Sequence, residues 1–173
     1  MGKVSSCQLK KNTASMKINN PYNKLKEHHC FGCSAKNPIG LKLEFKLEGN
    51  QVTAKWNPTR DYQGFEDLLH GGIISTIMDE IAAWAVQVLL HTAGVTSELN
   101  VKYLKPVRLS KGAVWASAHI AHVEGRLAKV KTSLKDSSDT ICAEGMITYF
   151  IYPEVVAQKK FRFPNPDLFL DTK

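Results

Sequence analysis

The stretch from Gly72 to Leu90 constrains the fold more than any other part of the chain. It carries Ile73, Ile74, Ile77, Met78, Ile81, Ala82, Trp84, Ala85, Val88 and Leu89. At ~100° per residue these positions cover most of a helix's circumference. At a rise of ~1.5 Å per residue such a helix is ~28 Å long. Apolar on nearly every side, it must be wrapped by other structure. It is not read as a membrane span, because no run of about 18 uninterrupted apolar residues occurs.

The flanking segments supply the wrapping. Leu41, Leu43, Phe45 and Leu47 alternate with Lys42, Glu44 and Lys46, the period of a half-buried strand. Gly49-Asn50 reads as a turn, and Val52, Ala54 and Trp56 continue the alternation as a hairpin partner. Residues 57–70 read as loop. After the helix, strands are expected over about Thr96–Leu104, Ala113–His122, Leu127–Lys135 and Thr140–Tyr152. Glu124-Gly125 and Asp136-Ser137-Ser138-Asp139 provide the turns. The order β-β-α-β-β-β-β predicts an α+β fold, an antiparallel β-sheet wrapped around one long central helix.

The 173 residues suit one domain with a sizeable core. The net charge is +7, and much of it sits early, on Lys3, Lys10, Lys11, Lys17, Lys24 and Lys26 against Glu27. Residues 1–27 therefore read as a basic tail or arm, with the domain over 28–153 and an irregular tail over 154–173. The excess charge lies on no recognition helix, so no specific nucleic-acid partner is expected. It can also help recruit a phosphorylated substrate. No apolar signal segment is read at the N-terminus. Cys7, Cys30, Cys33 and Cys142 form no disulfide framework, so a reducing, cytoplasmic setting is expected. Met1–Ser6 fits the loose myristoylation pattern, with Cys7 as a second acyl site, but a solvated terminus is the simpler reading. Trp56, Trp84 and Trp115 are read as core residues.

The chemistry-bearing stretch is Leu69-His70-Gly71-Gly72-Ile73-Ile74-Ser75-Thr76-Ile77-Met78-Asp79-Glu80. The first amides of a helix have no partner within it and carry the positive end of its dipole. Paired glycines let a ligand carbonyl approach them, so they can form an oxyanion hole. Asp79, two turns on, shares a face with Gly72, Ser75 and Thr76. A carboxylate on this helix must pair, stay wet, or work as a base or nucleophile. Glu80, ~100° around the helix, reads as structural or solvated. By itself, His70 suits a helix cap at least as well as a catalytic role, and Gly71-Gly72 a plain turn.

Taken together, Tyr62-Gln63-Gly64, Leu69-His70-Gly71-Gly72-Ile73-Ile74, Asp79-Glu80 and Glu98-Leu99-Asn100-Val101-Lys102-Tyr103-Leu104-Lys105-Pro106-Val107 resemble the PaaI-like branch of the hotdog-fold thioesterases, over roughly residues 28–152. The resemblance implies the hotdog fold and homodimers, often paired into tetramers, with active sites between subunits. It implies hydrolysis of acyl-CoA by a helix carboxylate without a cofactor. Asp79 matches the catalytic acid, and Gly71, after His70, the oxyanion donor. Thr96 matches a hydroxyl that helps orient water from the partner subunit, and Gln63 an upstream amide facing the thioester. Gly72, Thr76 and Asn100 are expected substrate contacts. The chain departs from the pattern at Glu66-Asp67, where relatives carry small residues. The rival readings are a hotdog protein that binds acyl-CoA without turnover and, more remotely, a hotdog dehydratase.

His28-His29-Cys30-Phe31-Gly32-Cys33 invites a zinc reading. Two thiolates supply only half of a tetrahedral shell, and adjacent histidines in an extended chain point opposite ways. Cys30 and Cys33 are therefore expected to be structural thiols, with no metal.

Overall fold

The computed structural model describes residues 15–171. Seven strands form one sheet: β1 (Ser15–Ile18), β2 (Phe45–Glu48), β3 (Gln51–Trp56), β4 (Gly94–Tyr103), β5 (Val114–Glu124), β6 (Leu127–Lys135) and β7 (Ile141–Ile151). Helix α1 (Gly71–Leu90) precedes β4, and a short helix α2 (Glu154–Phe161) follows β7. The spatial order is β1-β2-β3-β5-β6-β7-β4, and every neighbouring pair is antiparallel. This is the hotdog arrangement, with α1 as the wrapped helix.

Turn chemistry sets the meander. Gly49 has φ 64° in the β2–β3 turn and Gly125 has φ 56° in the β5–β6 turn, a region that penalises any side chain. In the β6–β7 turn the Asp136 carboxylate accepts the amides of Ser138 and Thr140, and Lys111 Nζ donates to it from 3.0 Å. The lysine first, and the amides with it, hold the Asp136 carboxyl below the usual carboxylate range.

The helix sits in the sheet because the sheet's inner face is small where the helix is large. Ile77, Met78, Ile81, Ala82 and Ala85 are buried with Val52, Ala54, Ala116, Ala118, Val130, Leu134 and Ile147. At Gly145, on β7, an added Cβ would stand 3.0 Å from Met78 Cε, so the backbone itself makes room. Each large side chain buried here contributes about 1.5–3 kcal/mol. By length and composition α1 could cross a membrane, but the sheet packs along it and it is the core helix.

Four sequence readings differ from the structure. The alternation at Leu41–Leu43 is not strand: Lys42 has φ 53°, and the Leu41 and Leu43 amides bond Phe31 and Gly32 instead. Both leucines are still buried, so the pattern reported burial rather than pairing. The supposed basic arm is ordered from Ser15 on. There β1 pairs with β2, and Tyr22 donates to Gln87 Oε1 on α1 at 2.6 Å. The supposed irregular C-terminus contains α2 and returns to the core through buried Phe163 and Phe169, with Phe169 edge-on to Trp84 at 5.7 Å. Aromatics scattered around prolines have no period, so pattern reading missed them. Finally, Trp56 and Trp84 are core, but Trp115 is 39% exposed on the outer face with Lys55 Nζ 5.2 Å from its ring. The acylation pattern at Met1–Ser6 and Cys7 lies outside the described residues.

Candidate active site

The polar stripe of α1 has two ends, and each is held by side chains from other elements. At the N-terminal end His70 is the helix cap. Its Nδ1 accepts the Gly72 amide at 2.9 Å, which places the ring proton on Nε2. That bond uses up one glycine amide. The Gly71 amide donates to no group among the described residues and remains free at the positive end of the helix. Tyr103, from the end of β4, donates to the Gly71 carbonyl at 3.0 Å and lies 2.5 Å from Ser75 Oγ. The Thr76 hydroxyl is bonded back to the Gly72 carbonyl at 2.8 Å.

At the other end, two turns on, Asp79 is half-buried and has no cationic partner among the described residues. Its Oδ1 accepts from Thr96 Oγ1 at 2.8 Å and from the Tyr149 hydroxyl at 2.6 Å. Thr96 on β4 and Tyr149 on β7 are a register pair, so both side chains leave the sheet on the face toward α1. Burial first, and then the adjacent Asp79 charge, push the Tyr149 phenol far above its ordinary range. It is therefore a permanent donor. Oδ2 accepts from no group among the described residues. One oxygen is fixed and the other is available, the arrangement a base or nucleophile needs.

Of the residues named from the sequence, His70, Gly71, Gly72 and Thr76 meet at the helix start, and Asp79 meets Thr96. The Thr96 hydroxyl reaches Asp79 of its own chain, whereas the resemblance implied a hydroxyl contributed across subunits. Gln63 bridges Leu69 in the loop leading to His70, on the Gly71 side. Asn100 does not join them: Leu99, Val101 and Tyr103 share the inner face with Thr96, so Asn100 points outward. The carboxylate of Asp67 is engaged too. The Ser110 amide (2.7 Å), the Ser110 hydroxyl (2.8 Å) and Arg108 (3.3 Å) bind it and hold its carboxyl below the usual range. The departure at Glu66-Asp67 thus adds one free charge rather than two. Sequence reasoning missed Tyr149. Its signal was a phenol on the inner-face alternation with Ile147, since a buried Tyr hydroxyl needs a partner.

Glu80 faces away from Asp79. It accepts from Trp84 Nε1 at 3.1 Å and from the Cys30 thiol at 3.6 Å. The expectation that Cys30 and Cys33 stand without further ligands counted only neighbours in sequence. The fold brings Glu80 to both sulfurs and His28 Nε2 to within 3.9 Å of Cys33 Sγ.

Gly71 and Asp79 are eight residues apart on one helix, ~12 Å along its axis. One chain therefore cannot present both to the same carbonyl carbon. The groove between the stripe and β4 is open, with Leu99 44% and Tyr103 53% exposed on an edge strand that has no neighbour beyond it among the described residues.

A family model described as the thioesterase superfamily matches residues 67–143, which span both ends of this site. A Saccharolobus solfataricus protein whose name assigns it provisionally as an esterase is 30% identical over 119 residues, 68% of this chain and 77% of the relative. Among solved structures, a thioesterase superfamily protein superposes with a TM-score of 0.66 at 19% identity, over 70% of this chain and 60% of its own length. A Streptococcus mutans protein solved with acetyl-CoA bound gives a TM-score of 0.61 at 19% identity, over 76% of this chain and 98% of its own. At these identities the two structures speak for the fold alone.

Proposed function

The chain belongs to the thioesterase superfamily, and on that premise we propose that it hydrolyses an acyl-CoA thioester to the free acid and CoA. The observation that carries this reading is the Asp79 carboxylate, with Oδ1 held by Thr96 and Tyr149 and, among the described residues, no cation beside it and no partner on Oδ2. A fully buried structural carboxylate would be neutralised or fully bonded, whereas half-buried Asp79 keeps one oxygen aimed and the other open toward the groove.

The reaction follows from the two ends of the stripe. Asp79 Oδ2 attacks the thioester carbonyl or takes a proton from the water that does. Negative charge then grows on the carbonyl oxygen. A free helix-start amide such as Gly71 stabilises it at low reorganisation cost. Because that amide is ~12 Å from Asp79 of the same chain, each site pairs Asp79 of one subunit with Gly71 of a second copy. A two-fold axis beside the exposed edge β4 achieves this, and it also covers the edge. Collapse of the intermediate expels the CoA thiolate, which takes up a proton; where Asp79 is the nucleophile this leaves an acyl–Asp79 anhydride, which water then cleaves to the free acid and the restored carboxylate. A small cleft of about 240 Å³ runs beside Gly71, lined by Leu68, Ile74, Tyr103, Leu104 and Lys105. Its apolar wall suits a pantetheine arm, and Lys105 suits a phosphate. The acetyl-CoA bound to the Streptococcus mutans relative is consistent with this ligand class.

Free-thiol release from a panel of short, long and aromatic acyl-CoAs tests the proposal. Turnover of at least one member, absent in a folded Asp79→Ala protein, is expected. Tight acyl-CoA binding without any thiol release would instead make this a binding protein.

A further inference from the structure

We propose that Cys30, Cys33, Glu80 and His28 form a closed, four-ligand binding site for a zinc-class divalent ion. The site lies ~100° around α1 from the Asp79 stripe and is independent of the thioesterase reading.

The geometry comes first. The ligand atoms of Cys30, Cys33 and Glu80 all lie within 4.8 Å of one another. Cys30 Sγ is 3.6 Å from both Glu80 carboxylate oxygens. His28 Nε2 is 3.9 Å from Cys33 Sγ. For a tetrahedral ion with metal–sulfur bonds of ~2.3 Å and metal–nitrogen or metal–oxygen bonds of ~2.1 Å, sulfur-to-nitrogen and sulfur-to-oxygen edges come to ~3.6 Å. Cys30 with Glu80, and Cys33 with His28, stand near those edges; His28 lies outside the 4.8 Å cluster of the other three, so its ring must swing toward Cys30 and Glu80 to complete the shell.

The backbone around the sulfurs is built to match. Cys30 and Cys33 are separated by two residues in a tight turn, closed by the Ser34 amide on the Cys30 carbonyl at 3.2 Å. The Glu80 carboxylate lies directly on this turn: a Cβ at Gly32 would stand 2.4 Å from Glu80 Cδ, so a side chain there would push the carboxylate off the turn. Trp84 Nε1 holds the Glu80 carboxylate from behind at 3.1 Å, the outer partner that metal ligands commonly have. Cys33 is buried, while Cys30, His28 and Glu80 face a cavity of about 510 Å³ that provides an entry path.

The donor set selects the ion. Two thiolates with one imidazole and one carboxylate suit zinc and exclude calcium and magnesium, which take oxygen ligands. Four protein ligands leave no open position, so the ion is structural. It would staple the segment before β2 to α1, one residue from Asp79.

The test uses the tag-free full chain, reduced and stripped with chelator, and titrated with cobalt and then zinc. We expect one cobalt per chain, with the visible bands of a tetrahedral thiolate site, displaced by zinc. Zinc should raise the melting temperature. Glu80→Gln and His28→Ala should each weaken cobalt binding by at least about tenfold, Cys30→Ser should abolish it, and His29→Ala should leave it unchanged. Circular dichroism separates lost ligands from lost folding, and the wild-type titration stands whatever the variants do. Substoichiometric cobalt in the reduced wild type, or unchanged affinity in folded Glu80→Gln, would overturn the proposal. So would a native Cys30–Cys33 disulfide whose reduced form binds no ion.

Discussion

The Tyr149 hydroxyl stands 2.6 Å from Asp79 Oδ1, across seventy residues of sequence. Its partner on the neighbouring strand, Thr96, binds the same oxygen. The carboxylate is thereby aimed before any substrate arrives. In Tyr149→Phe the ring volume is kept and the donor is lost. A hydrogen bond to a charged group is worth about 1.5–3 kcal/mol, so kcat should fall about 10- to 100-fold with KM little changed. An unchanged kcat would mean that Tyr149 only fills space.

The same tyrosine ties stability to alkaline pH. Burial raises the Tyr149 phenol, and burial with the Cys33 sulfur nearby raises Tyr22. A folded-state pKa above the unfolded one gives stability that is whole below about pH 10 and is lost as pH climbs further, because only the unfolded chain can ionise there. Melting temperature should therefore be flat up to about pH 10 and fall beyond it, with a shallower fall in Tyr149→Phe. A fall of equal slope in that variant would remove Tyr149 from the explanation.

His70 caps α1 through Nδ1. Replacement by alanine should cost about 1 kcal/mol of stability, and His70→Asn should restore most of it. If His70 were instead a general acid or base, both variants would lose about 10²–10⁴ in kcat regardless of stability. Denaturation curves read beside kinetics distinguish the two.

Much of this architecture was legible in the sequence, and the reasons are physical. A helix apolar on nearly every side had to be central, and most period-two runs are strands around it, with Leu41–Leu43 buried in a loop instead. Helical periodicity put Gly72, Ser75, Thr76 and Asp79 on one stripe, while the roles expected of Gly71 and Asp79 came from the family resemblance. Tyr149, Glu80 beside the cysteines, and Phe169 against Trp84 were not. Each depends on a tertiary contact between distant segments, and local periodicity carries no information about such contacts. Removing the Phe169 ring should cost about 3–5 kcal/mol. A near-neutral Phe169→Ala would return the C-terminal segment to the status of a tail.

Gly71 occupies the first helical position, where proline is tolerated, and His70 before it already has the extended backbone proline requires (φ −62°, ψ 133°). Gly71→Pro therefore deletes the candidate oxyanion donor with little damage to the helix. It should lower kcat about 10²–10³-fold. Equal mixing of subunits carrying Gly71→Pro and Asp79→Asn should recover about a quarter of wild-type activity, since half the dimers then hold one intact site. No recovery, despite subunit exchange seen by mass spectrometry, would refute a site shared between copies.

On the proposed mechanism Asp79 carries the chemistry. Asp79→Asn keeps an oxygen for Thr96 and Tyr149 but removes the base. The decisive measurement is kcat for thiol release by this variant on the best acyl-CoA, with substrate binding measured separately. A fall of about 10² or more with binding retained is the predicted result; turnover within a few-fold of wild type in the folded protein would contradict it.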